Sequence, residues 1–123
     1  MAIGCAEPER LADVIELQGV SKRYGKGDKA VQALHGLNLS VPSGCLFGLL
    51  GPNGAGKTTT LRILATLLAP CSGVVRVAGV DALTDPRGVR QRLGYVAQEV
   101  ALDKILSGRE LLELQGDLYH LPR

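Results

Sequence analysis

Three observations predict a mixed α/β fold, with antiparallel strands on the N-terminal side leading into one strand and one helix of a parallel core. The run Cys45-Leu46-Phe47-Gly48-Leu49-Leu50 is short and almost continuously apolar, as a strand buried on both faces is. The stretch from Thr59 to Leu68 reads as a helix stopped by Pro70. By contrast, Leu37-Asn38-Leu39-Ser40-Val41 alternates cleanly, the pattern of a half-buried antiparallel strand.

The joint between the apolar strand and the helix carries the chemistry. Gly51-Pro52-Asn53-Gly54-Ala55-Gly56-Lys57-Thr58, with Thr59 behind it, fits the spacing Gly, four residues, Gly-Lys-Thr. Glycines let the chain turn so tightly that successive N–H groups face one phosphate chain, and the helix N-terminus adds its positive end. Lys57 then reaches the β- and γ-phosphates, and the Thr58 hydroxyl ligates Mg²⁺. All four fixed residues and both flanking elements are present, which sets this motif apart from a chance Gly-rich turn. The chain is read as a P-loop NTPase fold that binds a nucleoside triphosphate or descends from one that did.

The remaining elements follow in order. Residues 1–12 show no periodicity and are expected to be a flexible N-terminus. Val14 to Val20 partly alternates and reads as a strand, followed by Ser21-Lys22-Arg23-Tyr24-Gly25 and a charged loop, Lys26-Gly27-Asp28-Lys29. Val31 to Leu34 is a short strand, Gly36 a turn, and Leu37 to Val41 the next strand. Pro42-Ser43-Gly44 turns into the apolar strand. After the loop helix, Ser72-Gly73 turns into a strand over Val74 to Ala78. Asp85-Pro86 opens a helix over 86–92, with Asp at the cap and Pro at the first helical position. Leu93 to Ala97 is read as a strand with Gln98 at its end. Ser107 and Glu110 form a capping box that opens a helix carrying Leu111, Leu114 and Leu118 on one face.

Composition bounds the function classes. A chain of 123 residues is one domain at most, and 46% hydrophobic residues suit a globular α/β protein. Aromatic content is 3%, so the core must be aliphatic. A net charge of +2 comes without a basic block, which argues against a nucleic-acid partner. No apolar run approaches the roughly 20 residues that span a bilayer. Glu7-Pro8-Glu9-Arg10 stands where a signal peptide would need an apolar stretch. Cys5, Cys45 and Cys71 are odd in number and have no metal-ligand spacing, so they read as free thiols in a reducing, cytosolic compartment. Cys45 and Cys71 are taken for packing residues, and His120 for a solvated side chain.

At this point the residues resemble the nucleotide-binding domain of ATP-binding cassette (ABC) transporters, from about Ile15 to the C-terminus. Three positions carry the resemblance in the family's order: Tyr24, the loop from Gly51 to Thr59, and Gln98. The stretches Phe47 to Thr60, Gly94 to Gln98 and Leu106 to Glu110 look like the multidrug and daunorubicin-type exporter branch. The resemblance implies that the ring of Tyr24 stacks on adenine, worth on the order of 1–3 kcal/mol. It implies that Gln98 links Mg²⁺ and the attacking water to a transmembrane partner, so that Thr58 and Gln98 together hold the metal. Implied partners are transmembrane permease subunits and a second nucleotide-binding domain. The implied location is cytoplasmic, peripheral to the inner face of the membrane.

Four pieces of the family's pattern have no match. They are a Leu-Ser-Gly-Gly-Gln signature, an apolar strand ending in Asp, a catalytic Glu directly after it, and a switch His. Leu106-Ser107-Gly108-Arg109-Glu110 imitates the signature but begins only eight residues past Gln98, and the capping box explains it better. Val77-Ala78-Gly79-Val80-Asp81 imitates the Asp strand, but Ala82 follows where Glu should stand, and the segment precedes Gln98. His35 and His120 lie where the switch His cannot. The expectation is therefore an N-terminal fragment, with 13–123 forming a partial ATP-binding domain whose parallel core is incomplete. Phosphoryl transfer is mostly positioning and charge stabilisation, and no catalytic residue is assigned: the chain is expected to bind Mg·ATP without hydrolysing it alone. The alternatives are a non-functional remnant or another P-loop class, such as a DNA-repair ATPase.

Overall fold

The structure, a computed structural model, describes residues 2–3, 12–98 and 105–118. Two long strands dominate it: β2 (Asp13–Tyr24) and β3 (Val31–Pro42) form an antiparallel hairpin around a short 3₁₀ turn at Gly27–Lys29. β1 (Ala2–Ile3) is a two-residue strand that pairs antiparallel with β4 (Gly48–Leu49). The helix α1 (Lys57–Leu64) follows the glycine loop. After it come β5 (Ser72–Val77), β6 (Val80–Asp81), α2 (Pro86–Arg90) and α3 (Gly108–Leu118). The larger sheet runs β3-β2-β5-β6, antiparallel throughout.

Apolar residues on one face of this sheet close on α1 and α2. Val20, Val75 and Val89 are fully enclosed, with Ile63, Leu17 and Val77 against them. The core is aliphatic throughout, as the composition required. Each enclosed valine contributes about 1.5–3 kcal/mol relative to exposure.

The hairpin joins what the sequence divided. The expected break at Gly36 is a bulge inside a continuous β3, with φ 62 there and φ 59 at Gly19 across the pair. Bulging leaves ladder N–H groups without strand partners, and two side chains take them up. Asn38 Oδ1 accepts from Gly19 N at 2.8 Å, and Ser21 Oγ accepts from Gly36 N at 2.9 Å. Ser72-Gly73, expected as a turn, lies inside β5 for a similar reason: Gly73, at φ 97, sits against the backbone of Gln18–Val20.

Local helix signals are satisfied within a few residues. Asp85 Oδ1 accepts from Gly88 N at 2.8 Å, capping α2 with Pro86 at its first position, and α2 stops at Arg90 rather than 92. Glu110 accepts from Ser107 N at 2.8 Å and from its hydroxyl at 2.6 Å, completing the capping box of α3. The leucines of α3 find no such closure. Leu112 and Leu118 are 74% and 65% exposed, and α3 contributes nothing to the buried core.

Two strand expectations fail. Of Cys45–Leu50 only Gly48–Leu49 is extended and paired, and Leu46 is 96% exposed. Leu93–Ala97 is irregular, with Val96 91% exposed. A strand exists only through neighbours, and among the described residues no parallel strand flanks either segment. The helix expected over Thr59–Leu68 ends at Leu64 because Thr66 takes φ 58, and Leu67 N bonds back to Arg62 O at 2.9 Å.

Gly73→Ala should destabilise the protein by about 2 kcal/mol or more, since its Cβ would stand 2.6 Å from Gly19 O and Val20 Cα. Thermal melting checks this; an unchanged midpoint would show that β2 and β5 can separate without cost. Acid should act through Asp81, whose carboxylate accepts backbone N–H groups of Leu83 and Thr84 at 2.8 and 3.1 Å, holding it below the usual carboxylate range. That stabilisation is complete above the ordinary carboxylate pKa and is lost as pH falls through the lowered value. Asp81→Asn should flatten this acid limb in a series of melts against pH.

Candidate phosphate-binding site

The site is built where β4 (Gly48–Leu49) hands the chain to the glycine loop and α1. Gly56 caps α1 at φ 88, a conformation that disfavours any side chain. Space forbids one as well: a Cβ there would stand 2.6 Å from Leu34 Cδ2 and 2.7 Å from Ala33 O. This close approach seats the loop on β3. Gly54, at φ 84, faces open space, so its glycine serves backbone shape alone. Within the loop, Ala55 N bonds Pro52 O at 3.2 Å and closes a turn around Asn53 and Gly54.

No side chain caps α1. The amides of Lys57, Thr58 and Thr59, in its first turn, have no intrahelical acceptor. They offer an anion both hydrogen bonds and the positive end of the helix dipole. Lys57 stands above them, its ammonium donating to Gly51 O and, at 2.8 Å, to Pro52 O. An ammonium carries three donors, so one N–H and the whole charge remain for a ligand. Gly51 to Gly56 thus forms an exposed turn ahead of the uncapped start of α1, with the Lys57 ammonium folded back onto it. Free amides beside one cation are the donor set that suits an anion such as a phosphate.

The three consecutive threonines point three ways, since successive helical residues are about 100° apart. Thr58 is exposed and leaves its hydroxyl for a ligand or metal. Thr59 Oγ1 lies 3.3 Å from the Tyr24 hydroxyl. Thr60 is buried, and its hydroxyl donates to Gly56 O at 2.9 Å, beside the backbone bond to the same carbonyl.

Tyr24 ends β2, 35 residues before Thr59 in the chain, and the fold brings its ring to the first turn of α1 with 40% of the residue exposed. The sequence did not reveal this hydroxyl contact. Nor did it single out Lys22, whose ammonium lies 5.7 Å over the ring centroid of Tyr24. Lys22 and Tyr24 are two apart on one strand, so they share a face, and that spacing was the available signal.

Gln98 is exposed in a bend after the irregular 93–97 stretch. Among the described residues, no cluster of His, Cys, Asp or Glu could hold a metal, and no helix is long and apolar enough to cross a membrane. Cys45 and Cys71 form no disulfide. Cys5 and His120 lie outside the described residues.

Comparison with known proteins gives consistent matches. The family model for ABC transporters matches residues 34–120. The daunorubicin resistance ATP-binding protein DrrA3 of Streptomyces coeruleorubidus is 50% identical over 87% of this chain and 33% of its own length. The doxorubicin resistance ATP-binding protein DrrA of Mycobacterium tuberculosis is 44% identical over 89% of this chain and 32% of its own. The chain thus spans about a third of these relatives. Among solved structures, the dimeric bacterial ABC transporter cassette MJ0796 superposes with a TM-score of 0.68 at 25% identity, over 89% of this chain and 49% of that one.

Gly56→Ala should cost about 2 kcal/mol or more, combining left-handed strain with the clash against Leu34 and Ala33. Gly54→Ala carries the strain alone and should cost less. Chemical denaturation of both variants checks the order; the reverse order would mean that the loop does not rest on β3.

Proposed function

The chain belongs to the ABC transporter family, and we propose from that premise that it binds Mg·ATP as the phosphate-gripping part of a drug exporter's ATP-binding subunit. One observation carries the reading. The aromatic residue expected at the base and the loop expected at the phosphates, far apart in sequence, meet through the Tyr24 hydroxyl and Thr59.

The roles follow from the residues. The first-turn amides of α1 and the Lys57 ammonium hold the phosphates. The Thr58 hydroxyl supplies one Mg²⁺ ligand. Tyr24 offers its ring to adenine, where stacking uses the π-face. Gln98 is assigned to Mg²⁺ by family resemblance alone. The bound nucleotide supplies a terminal phosphoanhydride bond, and its hydrolysis needs a carboxylate that accepts from the attacking water and positions it. Ala82 stands where that Glu should follow, and the Asp81 carboxylate before it is tied into the turn at Leu83 and Thr84. These 123 residues are therefore proposed to bind without sustained turnover. Permease subunits, a second nucleotide-binding domain and a place at the cytoplasmic face of a membrane belong to the same proposal. Support comes from the relatives' drug-resistance names and from the dimeric state of the MJ0796 cassette.

Calorimetric titration with Mg·ATP tests the reading. Lys57→Ala should weaken binding roughly 10- to 150-fold, the loss of one charge-assisted hydrogen bond. Equal affinities would remove Lys57 from the phosphates. A phosphate-release assay on the unaltered chain should stay at background, and sustained turnover abolished by Lys57→Ala would overturn the binding-only assignment.

A further inference from the structure

Lys22 has no part in the phosphate site, yet it is held more firmly than a surface lysine needs to be. Its ammonium donates to Ala69 O at 2.6 Å, tying β2 to the connection between α1 and β5. The same ammonium lies 5.7 Å over the Tyr24 ring centroid, inside the range in which a cation is drawn to the negative face of an aromatic ring. The other end of the ring is fixed by its hydroxyl on Thr59. A ring has two faces, and this one is tethered through one face and its rim.

We propose that Lys22 is a positioning residue for the base of a bound nucleotide: it pins one face of Tyr24 and presents the other to a purine. The proposal rests on the reading of Tyr24 as the stacking partner. Its physical content is preorganisation. A tyrosine held by a cation and a hydrogen bond has little rotamer freedom left to lose when the base arrives, so less of the stacking energy is spent on ordering it. The carbonyl of Ala69 is what makes the lysine effective, because it stops a long, flexible side chain from wandering into water.

Calorimetry on the full chain with two ligands, Mg·ATP and Mg·tripolyphosphate, tests it. Lys22→Met keeps the apolar stem and removes the cation, and Lys22→Gln keeps a donor without charge. Both should weaken Mg·ATP about two- to fivefold and leave tripolyphosphate unchanged, while Lys22→Arg should recover most of the loss. In a Tyr24→Ala background Lys22→Met should have no further effect. A loss shared equally by tripolyphosphate would show that Lys22 acts on the phosphates as a charge, and would overturn the proposal. So would full ATP affinity in Lys22→Met where Tyr24→Ala is weakened, an outcome that leaves base stacking standing. If Tyr24→Ala itself binds ATP as well as the unaltered chain, the stacking assignment falls and the role of Lys22 falls with it.

Discussion

The contact between Gly56 and the backbone of β3 is the constraint on which the rest of the structure depends. Without a side chain at Gly56, Leu34 and Ala33 can lie directly beneath the loop. Leu34 is itself part of the buried core with Val20 and Ile63, so the loop rests on the same aliphatic cluster that holds the sheet to α1. The first-turn amides of α1 are therefore held by apolar packing below them as well as by the polar contacts within the loop. Preorganised donors of this kind need no rearrangement when a ligand arrives.

Charge at the site is sparse and well used. Lys57 crosses the loop to Gly51 and Pro52, bracing the turn while keeping its charge at the cradle's mouth. Thr60 satisfies a buried hydroxyl against Gly56 O, so the helix begins without an unpaired polar group in the core. From β2, Tyr24 reaches Thr59 in the first turn of α1, Lys22 lies over the Tyr24 ring, and Ser21 on the same strand steadies the bulge at Gly36. The hairpin is thus both scaffold and contributor.

What the sequence made legible was whatever closes locally. The caps at Asp85 and Ser107 each need only residues three positions away, and both formed as read. The glycine loop is a local motif too, and it joins extended chain to a helix N-terminus as its spacing required. Strands were another matter. Cys45–Leu50 and Leu93–Ala97 have the composition of strands but find few partners or none among the described residues, and they leave Leu46 and Val96 in solvent. The bulges at Gly19 and Gly36 were hidden for the opposite reason: pairing across the hairpin overrode a glycine that locally reads as a turn. The tie from Tyr24 to Thr59 depends on tertiary placement and has no sequence signature beyond the two residues themselves.

The three threonines of α1 make the site sensitive to phase as well as to composition. Solvent, Tyr24 and the core each receive one hydroxyl because the helix turns about 100° per residue from a fixed origin at Gly56. Removing one residue between Gly56 and Thr60 would leave the apolar count of the helix almost intact while rotating every later side chain by that angle. Ile63 and Leu64 would swing away from Val75, and the neighbouring Leu61 and Arg62, now facing outward, would be rotated as well. The chain is tuned like a gear train at this point: the tooth count between loop and core decides which surface each side chain meets, so a single-residue length change here disturbs every later side chain where a substitution disturbs one.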